Sequence, residues 1–472
     1  MADDTSGTAA LTLGDFPPVE TSAWEAVIRA DLKGADYEKR LVWRSEEGLA
    51  VRPYYRREDL AGLESQLEAP PGAFPFVRGG GKPWQEDQQF EPRPDAVRAD
   101  LLHEAGATAV QELGYALAEG VEKLAALAEK RKSADLAARG IEFVFAAGSP
   151  FFFDIAKLRA ARLVWASAVA AFAPDGDAAC LMHIHVRTAR RNKSVYDRYS
   201  NLLRATTESL AAAIGGCDRL TVEPFGFDEH LAQNVQRILR EEAHVDVPAD
   251  PGGGSYYLEV LTDSLAREAW KLFQQVEGAG GFTAALQSGA MDKALAQSRA
   301  ERQKAVALRR RTLVGVNNYP DLNEKTPASE SPSDGERLAE PFEKIRERTA
   351  RHALKTGRYP RVMLLRRGDV KMRMARANFS LNFFGCAGFD IEEAEDLGGK
   401  TPDLVVLCSS DAEYLEFARD ICPRVEVPVV VAGNPKDQIE ALKAAGVRDF
   451  VHIQSNAVET LTALQDRFGL GN

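Results

Sequence analysis

Val362-Met363-Leu364-Leu365, Leu404-Val405-Val406-Leu407-Cys408 and Val427-Pro428-Val429-Val430-Val431-Ala432 are apolar runs of strand length, and the pattern around them changes period. Spacing near 3.6 residues predicts helices over Arg373–Cys386, Ala412–Ile421, Gln438–Ala445 and Ala457–Phe468. Two more strands are expected at Phe389–Ala394 and Phe450–Ile453. Five strands joined by right-handed helical crossovers make a doubly wound, flavodoxin-like domain over 360–472.

Upstream of that block, Asp321-Leu322-Asn323-Glu324-Lys325-Thr326-Pro327 opens a stretch rich in Pro, Ser, Glu and Asp. Such composition cannot bury a core, so 321–359 reads as a linker. Residues 228–320 read as helical, from Leu231, Val235, Ile238 and Leu239 and again from Leu258, Leu261, Leu265 and Trp270. The glycine run in Asp250-Pro251-Gly252-Gly253-Gly254-Ser255 follows no strand and carries no Lys, so a turn is expected rather than a phosphate cradle.

Further back the periods alternate. Strands are expected at Pro83–Phe90, Ala96–Leu101, Ile141–Ala146, Cys180–Val186 and Arg219–Pro224, with helices at Thr108–Lys130, Asp154–Phe172 and Tyr199–Ile214. That alternation signals a parallel sheet or barrel, placed over 71–320 with its helical extension. Residues 1–70 read as an arm with a helix near Trp24–Lys33 and a hairpin around Leu41–Tyr54, turning at Glu46-Glu47-Gly48. The whole is α/β.

A net charge of −11 argues against a nucleic-acid surface. Arg309-Arg310-Arg311 is expected to be a solvated helix end. No secretory signal and no membrane-length apolar run is visible. The five cysteines, Cys180, Cys217, Cys386, Cys408 and Cys422, form no CxxC pair, which points to a reduced, cytoplasmic protein without a disulfide framework or zinc site.

Several segments stand out: Phe16-Pro17-Pro18 with Trp24, Leu32-Lys33-Gly34-Ala35, Pro75-Phe76-Val77-Arg78-Gly79 and His103-Glu104-Ala105-Gly106-Ala107. The most specific is Ile155-Ala156-Lys157-Leu158-Arg159-Ala160-Ala161-Arg162 followed by Trp165; Tyr199-Ser200-Asn201-Leu202-Leu203-Arg204 and Ala249–Tyr256 add to it. Together these segments resemble the acyl-CoA mutases, and within them the non-catalytic small subunit of the methylmalonyl-CoA mutase family. The resemblance implies a (β/α)8 barrel that holds a CoA ester along its axis, and a flavodoxin-like domain of the cobalamin-binding type. In that family cobalamin sits on a histidine from an Asp-x-His-x-x-Gly loop.

This chain departs from the pattern at each functional place. In register with Gly388-Phe389-Asp390, the ligand histidine falls on Arg373, its Asp on Lys371 and its Gly on Arg376. Arginine stays protonated and has no lone pair for cobalt. In the barrel, the family's Arg-Gln-Tyr becomes Asp87-Gln88-Gln89, the catalytic His becomes Leu101, and a late-strand Gln becomes Arg187. His103, two residues on, is read as structural; His183 and His185 share a strand face but lack a third metal ligand. The chain also runs directly from the first barrel strand to one resembling the fifth, so the barrel is expected to be truncated, without strands two to four. No catalytic, cofactor-binding or metal residue is therefore assigned, and no cofactor is expected on this chain. The implied role is a structural small subunit of a heterodimeric mutase that interconverts methylmalonyl-CoA and succinyl-CoA. Adenosylcobalamin would then lie on the large subunit, and a GTPase chaperone is a further partner. A divergent active mutase and a stand-alone regulatory module remain the alternatives at this point.

Overall fold

The computed structural model describes residues 17–131, 133–324 and 337–470, without the side chain of residue 131. Phe16 and most of the Pro- and Ser-rich part of the expected linker lie outside the described residues. The chain divides into two compact units between Asp59 and Leu60.

The first unit holds the helix Thr21–Asp31 and a two-strand antiparallel pair, Trp43–Arg44 with Ala50–Val51. The helix buries none of its residues; Val19, Trp24, Val27 and Trp43 stay exposed, although the Trp24 ring stacks on Tyr54 at 5.0 Å.

The second unit contains two five-stranded parallel sheets. In the first, Gln85–Glu86 pairs with Arg219–Thr221, which is followed outward by His183–Thr188, Glu142–Ala147 and Val97–Arg98. The first strand therefore lies beside the last, as barrel closure requires, while the first and second strands face an open side. This is an arc of a barrel. The register fixes which side chains face inward. Phe143 touches Trp165 of the helix Phe151–Ala170 at 4.8 Å, so Phe143, Phe145, Ile184, Val186 and Leu220 face the helix layer. Trp165 and Phe143 are fully buried and contribute on the order of 1.5–3 kcal/mol each from apolar surface removed. The helix Ala109–Arg131 approaches them closely because residue 120 is glycine; a Cβ there would lie 2.6 Å from the Phe143 ring.

The second sheet has the order Asp390–Ala394, Arg361–Arg366, Leu404–Cys408, Val429–Ala432, Val447–Val451, all parallel. In chain order this is 2-1-3-4-5, the flavodoxin-like winding.

Several expectations are corrected. Ala96–Leu101 is not one strand: pairing ends at Arg98, and Ala99–Glu104 is a helix that carries Leu101 into solvent. The strand expected at Phe450–Ile453 begins earlier, at Val447, because the ladder to Val429 tolerates the exposed Arg448. The linker ends sooner than residue 359. Glu340–Thr356 is a helix whose Phe342, Ile345, Ala350 and Ala353 sit on one face, and Phe342 and Ile345 join Leu364, Val406 and Leu461 in the core of the second sheet. Among the described residues no helix is long and apolar enough to cross a membrane.

Candidate functional site

The inner face of the arc is lined by Gln85, Asp87, Arg98, Glu142, Val144, His183, His185, Arg187, Arg219 and Thr221. Barrel interiors are normally filled by branched aliphatic residues; here most are polar and pair with one another. Arg219 bonds Asp87 and, at 2.8 Å, Glu142. Arg187 bonds Asp100 at 2.9 Å and Glu223 at 2.9 Å, and Arg98 takes both oxygens of Asp100 at 2.8 and 2.7 Å. His185 meets the Thr221 hydroxyl at 2.8 Å. Burial, followed by the charge of Arg187, lowers its pKa to about 4, so the ring is neutral at neutral pH.

Asp87 thus neutralises an arginine of this chain instead of a substrate group, and Gln89 is exposed. His183 and His185 share the inner face as expected. Among the described residues no group of three or more His, Cys, Asp or Glu side chains is placed to hold a metal.

At the C-terminal end of Glu142–Ala147 lies a buried quartet that the sequence reading missed. Lys157 donates to Glu112 at 2.8 Å and to the Ala146 carbonyl at 2.6 Å, and its ammonium is 3.1 Å from Asp154. His103 approaches Glu112 at 3.3 Å. Burial works against the Lys157 charge, yet Glu112 and Asp154 outweigh it and hold the ammonium above its usual range. Arg159 of the same motif spans Asp250 at 2.6 Å and Glu259 at 2.8 Å. Lys157 and Arg159, which carry the most specific family resemblance, are scaffold. Asp250 also takes Arg78 at 3.0 Å, so the Asp250–Ser255 turn presents a buried carboxylate where a phosphate cradle would need donors. Gly253 is required there, since a Cβ would come within 2.6 Å of Asp250.

In the flavodoxin-like part, only Arg367-Gly368-Asp369 separate the strand Arg361–Arg366 from the helix Val370–Gly385. Asp369 caps that helix by accepting from the Met372 N–H at 2.8 Å. Lys371 and Arg373 consequently stand in its first turn, not in an extended loop. Arg373 faces Glu395 at 3.6 Å. Arg376 pairs with Asp411 at 3.1 Å, and its guanidinium carbon lies 3.5 Å from where a Cβ on Gly433 would be. The cleft between the helix and the end of Val429–Ala432 is therefore occupied by an arginine. Beside it, Glu413 accepts from the hydroxyls of Ser409 and Ser410 at 2.8 and 2.6 Å, bonds that hold its pKa at about 2. These residues do not fit cobalamin: an arginine, not an imidazole, stands at the ligand position, and a second guanidinium, that of Arg376, stands close to Gly433.

Arg309 overturns the solvated-helix-end expectation. It bonds Asn318 at 2.9 Å and lies over the rings of Phe379 and Phe383 at 5.3 and 5.6 Å. Arg310 is exposed.

A barrel arc followed by a flavodoxin-like domain is the build expected of an acyl-CoA mutase chain, and internal ion pairs line both halves. The family model described as Methylmalonyl-CoA mutase matches residues 84–357. The chain is 33% identical to the methylmalonyl-CoA mutase small subunit of Porphyromonas gingivalis, over 97% of this chain and 98% of that relative. It is 36% identical to the small subunit of Streptomyces virginiae, covering 79% of this chain but 64% of the relative. With that of Propionibacterium freudenreichii subsp. shermanii it shares 32% identity over 76% of this chain and 57% of the relative. The chain belongs to the methylmalonyl-CoA mutase family. The first of these alignments extends over 616 residues, against 472 in this chain, so well over a hundred positions of that relative have no counterpart here. Three βα units of roughly 30 residues each fit within such a shortfall.

Proposed function

We propose that this chain is the small, non-catalytic subunit of a heterodimeric, adenosylcobalamin-dependent acyl-CoA mutase, acting in the cytoplasm to stabilise a large subunit that interconverts methylmalonyl-CoA and succinyl-CoA. On this reading the chain carries neither cofactor nor substrate. The observation that carries it is the set of ion pairs at the two positions: Arg376 pairs with Asp411 beside the first turn of the helix Val370–Gly385, and Arg187, Asp100 and Glu223 pair across the barrel interior. The small-subunit names of the relatives support a two-chain enzyme. The exposed Val19, Trp24, Val27 and Trp43 of the first unit are the apolar anchors that would grip the partner.

The test is co-expression with a methylmalonyl-CoA mutase large subunit, followed by size-exclusion chromatography of the full chain and of a chain lacking residues 1–58. The full chain is expected to co-elute with the large subunit and the truncated one to separate from it. Co-elution of both at equal affinity would refute the role given to the first unit; co-elution of neither would refute the subunit reading.

A further inference from the structure

The open side of the arc is crossed by the chain itself. Residues 87–96 run from the edge strand Gln85–Glu86 to the opposite edge strand Val97–Arg98, and they are tied down along the way. The Gln88 side chain donates to the Val222 carbonyl at 2.7 Å, the Arg93 N–H donates to Glu142 at 2.9 Å, and Lys123 holds the Ala96 carbonyl at 2.9 Å. In the middle stands Phe90, whose φ of +41° is one that side chains of its size rarely adopt. Its ring meets inner-surface groups: His185 at 5.1 Å between ring centres, Arg187 at 4.1 Å and Arg98 at 5.1 Å. Both guanidiniums are held in place by Asp100.

We propose that residues 87–96 are a built-in plug, which seats the Phe90 ring between Arg98 and Arg187 on the axis of the arc and closes it to any acyl chain. Phe90 is half-buried and held in the left-handed region, and two guanidiniums lie over its ring, as they would over a bound ligand. The inference deepens the non-catalytic reading, but the two stand apart experimentally: subunit pairing is judged by co-elution, the plug by the measurements below.

The test uses thermal melting of the full chain and of Phe90→Ala, Phe90→Leu and Phe90→Tyr, with and without toluene, the hydrocarbon analogue of a phenylalanine side chain. Phe90→Ala should melt about 1–3 °C lower than the parent, a small shift because the unfolding entropy grows with chain length. Saturating toluene should restore at least half of that loss and leave the parent unmoved. Phe90→Tyr, which keeps a π face for the guanidiniums, should melt above Phe90→Leu; this comparison carries the test if Phe90→Ala does not fold. Acetyl-CoA should not shift the parent. Equal melting of the Leu and Tyr variants, an equal toluene effect on parent and Phe90→Ala, or an acetyl-CoA shift in the parent would overturn the plug.

Discussion

Replacing Lys157 by Met tests whether the motif that most strongly marks the family is scaffold in this chain. The Lys157 side chain is 1% exposed, and its ammonium holds Glu112, Asp154 and the Ala146 carbonyl at 2.8, 3.1 and 2.6 Å. Met matches its length without its charge, so the substitution strands two carboxylates that water scarcely reaches. Removing one partner of a buried pair costs about 3–5 kcal/mol. Residual donors, His103 for Glu112 and the Gly148 N–H for Asp154, place the expected loss near the lower end, about 3 kcal/mol. Trp84, Trp165 and Trp270 lie on the barrel side, Trp24 and Trp43 are already exposed in the first unit, and no tryptophan follows residue 270, so the fluorescence change in urea reports mainly the barrel side of the chain. A second variant separates charge from packing. Lys157→Met combined with Glu112→Leu removes the cation together with its closest carboxylate and should recover about 1 kcal/mol or more of the single-variant loss. A Lys157→Met loss below about 1 kcal/mol, or a double variant as unstable as the sum of its parts, would show that the quartet does not anchor the arc.

Two more outcomes follow from the same geometry. His185 titrates at about 4 when folded and near 6.5 when unfolded, so the unfolded chain binds more protons between those values. The stability that depends on the neutral ring is whole above pH 6.5 and is lost as pH falls toward 4, by at most about 1.4 kcal/mol per pH unit. His185→Asn should flatten the stability profile across that window; a profile unchanged from the parent would contradict the assignment. For the cobalamin cleft, Arg373→His with Lys371→Asp should leave the chain free of corrin absorbance, because Arg376 still stands close to Gly433; stoichiometric corrin binding by this pair of substitutions would refute that.

The flavodoxin-like sheet was legible because its central strands are buried on both faces and read as unbroken apolar runs, as at Leu404–Cys408. Its last strand was misplaced because Arg448-Asp449 interrupts the run at the exposed edge of the sheet. The helix Glu340–Thr356 was lost to the composition of its neighbourhood. Its apolar residues are outnumbered by Glu, Arg and Lys, and only their spacing betrays the buried face. The proposed loss of the cobalamin and substrate positions rests on single residues, because Arg373 and Asp87 argue against ligand and substrate by their chemistry alone. The buried pairs were not readable in the sequence, because Arg187 and Asp100 lie 87 residues apart and Lys157 and Glu112 lie 45 apart. No local pattern joins partners at that range. Arg309 was misread for the same reason: its aromatic partners Phe379 and Phe383 come from another part of the chain.

The central claim is that this chain contributes structure and no cofactor site to a two-chain mutase, and corrin stoichiometry tests it most directly. The chain is to be purified alone and in complex with a methylmalonyl-CoA mutase large subunit, each saturated with adenosylcobalamin, desalted, and its corrin absorbance measured against protein concentration. The account predicts no retained corrin on the isolated chain and one per pair of chains in the complex. Retention of one corrin on the isolated chain, or of two per complex, would contradict it.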